Sequence, residues 1–146
     1  MFFEFKKRIL MFKVNKKIEY ALMALKHMSG KGSTELTSVK ELCDSYKMPF
    51  DVMSKVMQKM ASGGILQSEK GAHGGYQIQE DLKNVSVLGL YEIVMNKTPK
   101  ANCQHKTKTE CSMRETCNVI SPMAELNSKL IKLYETIAVS DLLKTS

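Results

Sequence analysis

Between Ile18 and Gln79 the spacing of apolar residues changes once, from a helical period to a strand-like one, and that single change limits the folds open to the chain. Ile18, Ala21, Leu22, Leu25 and Met28 recur at three- and four-residue steps, which predicts an amphipathic helix over 18–28. Gly30-Lys31-Gly32-Ser33 ends it. Ser38 and Glu41 form an S-x-x-E capping box for a second helix over 38–47, with Val39, Leu42, Cys43 and Tyr46 on its buried face. Pro49 suits the first turn of a third helix over 49–61, because its missing N–H would be unbonded there anyway. That helix turns Met53, Val56, Met57 and Met60 inward and shows Asp51, Ser54, Lys55, Gln58 and Lys59 outward, until Gly63-Gly64 stops it. The period then shortens. Residues 65–68 and 76–79 read as strands around the glycine-rich tip EKGAHGG.

Three helices followed by a hairpin is the order of a winged helix-turn-helix, so the expected fold is mainly α with a small β-hairpin wing. Beyond it a fourth helix over 86–95 places Leu88, Tyr91, Val94 and Met95 inward and tolerates Gly89. The last helix, over 121–137, repeats Met123, Leu126, Leu130, Leu133 and Ile137. Such a stripe needs a partner surface, and a long C-terminal dimerisation helix is the expectation. The organisation expected is an N-terminal extension over 1–13, a DNA-binding domain over 14–98, a cysteine-rich loop over 99–120, and the dimerisation helix with its tail over 121–146.

Charge points the same way. Of the net +7, most lies in residues 1–70, with 13 Lys/Arg against 7 Asp/Glu, whereas residues 71–146 carry 9 against 8. A basic field of this kind concentrates polyanions and gives salt-dependent binding to a phosphate backbone. In that setting the third helix enters a major groove, with Ser54, Lys55, Gln58 and Lys59 as base or phosphate contacts. Lys59 and Lys70 read as phosphate anchors, and Lys70 and His73 as wing contacts. With 43% apolar and 25% charged residues the chain can bury a core, and no apolar stretch approaches a membrane span. The start of the chain lacks the apolar run of a secretory signal, so a cytoplasmic protein is expected.

Cys103, Cys111 and Cys117 stand as C-x7-C-x5-C in a polar segment, while Cys43 lies apart on an apolar helix face as a small hydrophobe. Thiolates are soft ligands that suit zinc, copper(I) and iron–sulfur clusters. The spacing matches neither the paired cysteines of a zinc ribbon nor a ferredoxin run, so a cluster and a zinc site using His105 both stay open. A disulfide fits least, since the core is ample and no secretory signal is present.

The strings IEYALMAL, PFDVMSKVMQKMASGGI, SEKGAHGGYQI and VSVLGLYEIV, together with the cysteine triplet, resemble the IscR/NsrR/RirA-type iron–sulfur transcriptional regulators over about residues 14–143. The resemblance implies a homodimeric winged-helix regulator, a repressor by preference, crossed through its long helix. It implies a 2Fe-2S or 4Fe-4S cluster held by Cys103, Cys111 and Cys117 that reports nitric oxide, redox state or iron and cluster supply. The histidine that follows the last cysteine by three residues in IscR-like members is Ile120 here. NsrR-like members use an acidic residue from the partner's first helix, a position that falls on Glu19; His105 competes with it. On the wing, Lys70 stands where many members carry arginine, which keeps the charge and loses the planar fork. His73 stands where others have glycine or proline. The alternative is a winged-helix regulator with a zinc-bound or redox-active thiol loop and no cluster, and further behind an electron carrier. An enzyme is not expected: His27, His73 and His105 fall on a helix, a hairpin tip and a loop, with no nucleophile and base set between them, and no phosphate-binding glycine signature is present.

Overall fold

The computed structural model describes residues 14–97 and 111–145, and their elements follow the expected order. Helix α1 spans Lys16–Ser29 and is opened by Asn15, whose side-chain oxygen accepts from the Lys17 N–H. Its inner face of Ile18, Ala21, Ala24, Leu25 and Met28 is buried at the centre of the core. Helix α2 is Val39–Tyr46, with the Ser38 hydroxyl accepting from the Glu41 N–H at 3.1 Å. Only half of the expected capping box forms, because the Glu41 carboxylate turns instead to His27 and Lys31 on α1 and the turn after it.

Lys47 then takes a left-handed conformation (φ 53°), Met48 drops into the core, and Pro49 caps α3, Phe50–Ser62, from just outside. Pro49 therefore precedes the first helical residue rather than occupying it. Met53, Val56, Met57 and Met60 are buried as their spacing demands. The helix ends in a Schellman motif: Gly64, at φ +84°, donates to Ala61, and Ile65 donates to Met60.

Strands β1 (Leu66–Glu69) and β2 (Gly75–Ile78) pair antiparallel, from Leu66 opposite Ile78 to Glu69 opposite Gly75. Thr37 bonds Tyr76 in both directions at 2.9 Å, which fastens the wing to the residue preceding the α2 cap. Gly75 is required at that crossing, since a Cβ there would lie 2.9 Å from the Thr37 carbonyl oxygen.

Helix α4, Val87–Met95, is capped by Ser86, whose hydroxyl accepts from Gly89; Leu90 joins Leu88 and Val94 inside, a core position the sequence pattern did not single out. Helix α5 is Ile120–Thr136. The apolar stripe does not carry the helix through Ile137, which turns extended so that its carbonyl can accept from the Val87 N–H at 2.8 Å. That bond supplies an acceptor to the otherwise unpaired start of α4. A short α6, Val139–Lys144, follows with Val139 fully buried. The end of α5 thus lies against the start of α4. At 1.5 Å per residue, the 17-residue α5 is about 12 Å longer than the nine-residue α4.

Candidate functional site

Helix α3 is held by its methionines against α1, α2, α4 and the base of the hairpin, which leaves its opposite side outward. Phe50, Ser54 and Gln58 are spaced four residues apart and share that side, with Lys55 beside them. The Gln58 amide donates to the Ser54 hydroxyl at 3.4 Å, and Lys55 is exposed. Phe50, 57% exposed, was not singled out from the sequence. An apolar residue beside a proline gave no cue that its ring would stand in solvent. Lys70 and His73 are both exposed at the wing tip, while the Gly74 N–H is already used within the turn, donating to Gly71.

Lys59 goes elsewhere. Its ammonium donates to the carbonyl of Val94 at 2.9 Å, in the last turn of α4. Carbonyls there lack helical partners and carry the negative end of the helix dipole, so a cation is drawn to them. The phosphate contact expected of Lys59 would require giving up this bond.

The helix-turn-helix is braced from behind by a polar cluster. The two ring nitrogens of His27 lie 2.8 Å from the Tyr46 hydroxyl and 2.8 Å from the Glu41 carboxylate, and Lys31 reaches the same carboxylate oxygen at 2.5 Å. Burial pushes the Glu41 carboxyl up, but the bonds and charge of Lys31 and His27 outweigh it and hold the group below the usual carboxylate range. Burial, with Asp44 adding to it, pushes the Cys43 thiol up, which fits a core hydrophobe and not a reactive thiolate.

Of the cysteine triplet, Cys103 lies outside the described residues, as does His105. Cys111 and Cys117 are free, half-buried thiols in a run of turns leading into α5. Among the described residues no three His, Cys, Asp or Glu side chains come together as an ion site. Glu19 sits in the first turn of α1, paired with Lys16 at 2.7 Å, a bond that raises the lysine's pKa. Exposed pairs of this kind are weak and exchange readily. Beside that turn opens a groove of about 700 Å³ lined by Ile18, Tyr20, Val52, Tyr91 and Tyr134 among others. Among the described residues no helix is long and apolar enough to cross a membrane.

A helix-turn-helix followed by a hairpin wing, with Lys55 and Lys70 exposed on the two, is the architecture of a winged-helix DNA-binding protein. Residues 14–145 match the model of the Rrf2 family, described as an iron-dependent transcriptional regulator, and the chain belongs to that family of transcriptional regulators, which are not enzymes. Among its relatives, the HTH-type transcriptional regulator NsrR of Shouchella clausii is 19% identical over 124 residues, covering 85% of this chain and 83% of that protein. A putative HTH-type transcriptional regulator of Aquifex aeolicus is 23% identical over 129 residues, covering 86% and 88%. The fold is shared with CymR of B. subtilis, called its global cysteine regulator (TM-score 0.66, 14% identity, 93% of this chain and 99% of that one). It is shared also with IscR of T. potens (TM-score 0.62, 15% identity, 93% and 89%).

Proposed function

We propose that the chain is a homodimeric transcriptional regulator, a repressor, whose grip on an operator is set by an iron–sulfur cluster held on Cys103, Cys111 and Cys117. The observation that carries the reading is the separation of two features on one frame. An exposed polar face on α3 stands beside a lysine-tipped wing, and the free thiols of Cys111 and Cys117 lie elsewhere, in the turns that lead into α5. Soft, half-buried thiols such as Cys111 and Cys117 fit such a group in their chemistry. When bound, it would supply a redox- and nitric-oxide-responsive centre.

Glu19 of the partner subunit is the fourth ligand in this reading. Its weak bond to Lys16 and the open groove beside it support an approach by a second protomer's loop. The unburied stripe of α5 supports the dimer, since Leu126 and Leu133 stay 45% and 51% exposed in the single chain. On DNA, Ser54, Lys55 and Gln58 face the major groove. Phe50 offers an apolar contact to a thymine methyl, and Lys70 and His73 meet the flanking backbone. Because a dimer reads half-sites about one helical turn apart, a small change in the relation of its two α3 helices changes operator affinity.

The test is direct. Anaerobically purified protein is expected to be brown and to contain iron and acid-labile sulfide. Serine substitutions at Cys103, Cys111 and Cys117 are expected to remove the colour and change operator affinity at matched salt. Equal affinity of the two forms would rule the reading out. A second reading, a thiol-sensing regulator without a cluster, draws on the likeness to S. aureus CymR, which has been solved in an oxidised form. Colourless protein whose DNA binding answers to thiol oxidants would favour it.

A further inference from the structure

The end of the reading helix is fastened to the helix that leads into the cysteine segment, and at two places. Lys59, in the last turn of α3, donates to the Val94 carbonyl at 2.9 Å. One turn on, Gly63 lies so close to α4 that a Cβ there would stand 2.6–2.8 Å from the Ile93 side chain. Two residues after Val94, Asn96 turns left-handed (φ 53°) and the chain departs toward Cys103. The other end of α4 is tied separately, by the Val87–Ile137 bond and the bridge between Ser86 and Ala138. Helix α4 is therefore held at its start, while its end is shared between the cysteine segment and α3.

We infer that this seam carries the state of the cysteine segment to the reading helix, with Lys59 acting as a positioning residue. The inference rests on the reading above, that the cysteine segment governs DNA binding. A pull on the residues after Asn96 tilts the last turn of α4 about its fixed start. The close approach of Gly63 to Ile93, too tight to admit a Cβ, brings the end of α3 directly against this part of α4. The lysine bond holds the α3 turn to the moving carbonyl, and α3 follows. Coupling of this kind runs through rigid elements and bonds that both sites bias. Lysine suits the role chemically. Its long stem lets the ammonium reach, on the neighbouring helix, a carbonyl that has no helical partner.

The experiment compares full-length protein with a version whose Cys103, Cys111 and Cys117 are serine. The probe is a labelled duplex selected by the wild type from a randomised library, titrated over a salt series. The wild type is expected to show an affinity ratio between the two forms in the range of about 5–150-fold usual for coupled sites, and Lys59→Met to reduce it to within about two-fold. The salt slope of Lys59→Met should match the wild type's, and Lys59→Arg should restore the ratio. Gly63→Ala, which forces Ile93 aside without touching the lysine, should also shrink the ratio. It provides the measurement if Lys59→Met fails to fold. Uniform weakening in both forms with the slope lowered by about one would make Lys59 a phosphate contact and overturn the inference. A Lys59→Met protein as responsive as the wild type would overturn it too, with the underlying reading intact. A wild type indifferent to its cysteines would sink both.

Discussion

The winged head and the α5 arm are made of similar residues and end in opposite conditions. In the head, every helix through α4 buries a face, and Leu25, Leu42, Met53, Met57, Met60 and Leu90 are wholly enclosed. In the arm, 17 consecutive helical residues include none that is buried, although Met123, Leu126, Leu130 and Leu133 repeat as regularly as the stripe of α1. The difference is not in hydrophobic pattern but in what lies opposite. The stripes of the head meet one another in a single core, whereas α5, packed among the described residues against α4, leaves Leu126 and Leu133 about half exposed. The head closes on its own core, and the arm leaves an apolar face open.

The contrast can be broken by substitution, beginning where the effect is greatest. Leu25→Ala, at the centre of the head, is expected to cost about 2–5 kcal/mol of unfolding free energy in urea titrations. An unchanged midpoint would show that α1 is not the hub of the core. Leu126→Asp paired with Leu133→Asp in the arm should leave the head's unfolding within about 0.5 kcal/mol of wild type at dilution, as surface changes do. In sedimentation the same protein should lose self-association, and a doubly substituted protein that still sediments as a dimer would refute the assignment of this face.

The smallest effect concerns the brace behind the helix-turn-helix. The Glu41 carboxyl titrates lower in the folded chain than in the unfolded one. Its contribution is thus present above the unfolded value and lost as pH falls through the folded one. Glu41→Gln should lower stability at neutral pH by about 1 kcal/mol or less, and its curve should converge on the wild type's in acid. Parallel curves down to low pH would mean that the cluster with His27 and Lys31 contributes nothing through charge.

Much of this could be read along the chain because the signals are local. The cap at Ser38, the stop at Gly63-Gly64 and the switch to strand each act within a turn or two, and the first two appear where expected while each strand lies one residue from its expected bounds. What escaped depends on distant neighbours. Nothing near Ile137 announces that it must leave the helix, since the reason is an unpaired N–H on Val87, fifty residues earlier. Glu41 has the spacing of a reciprocal cap, but His27 and Lys31 offer its carboxylate charge as well as hydrogen bonds. Lys59 has the spacing of a groove contact, and the carbonyl that takes it belongs to another helix.

Periodicity, caps and glycine punctuation were enough to write down three helices and a wing in order, because backbone preference and the burial of one face operate over a few residues. The cysteine triplet could be named as a candidate set of soft donors for the same reason, since donor chemistry is a matter of residue type. The destination of each long side chain, and which apolar stripe is covered, waited on the packed chain. An ammonium five bonds from its backbone finds the nearest unpaired acceptor in space, and a stripe is buried only if another surface reaches it.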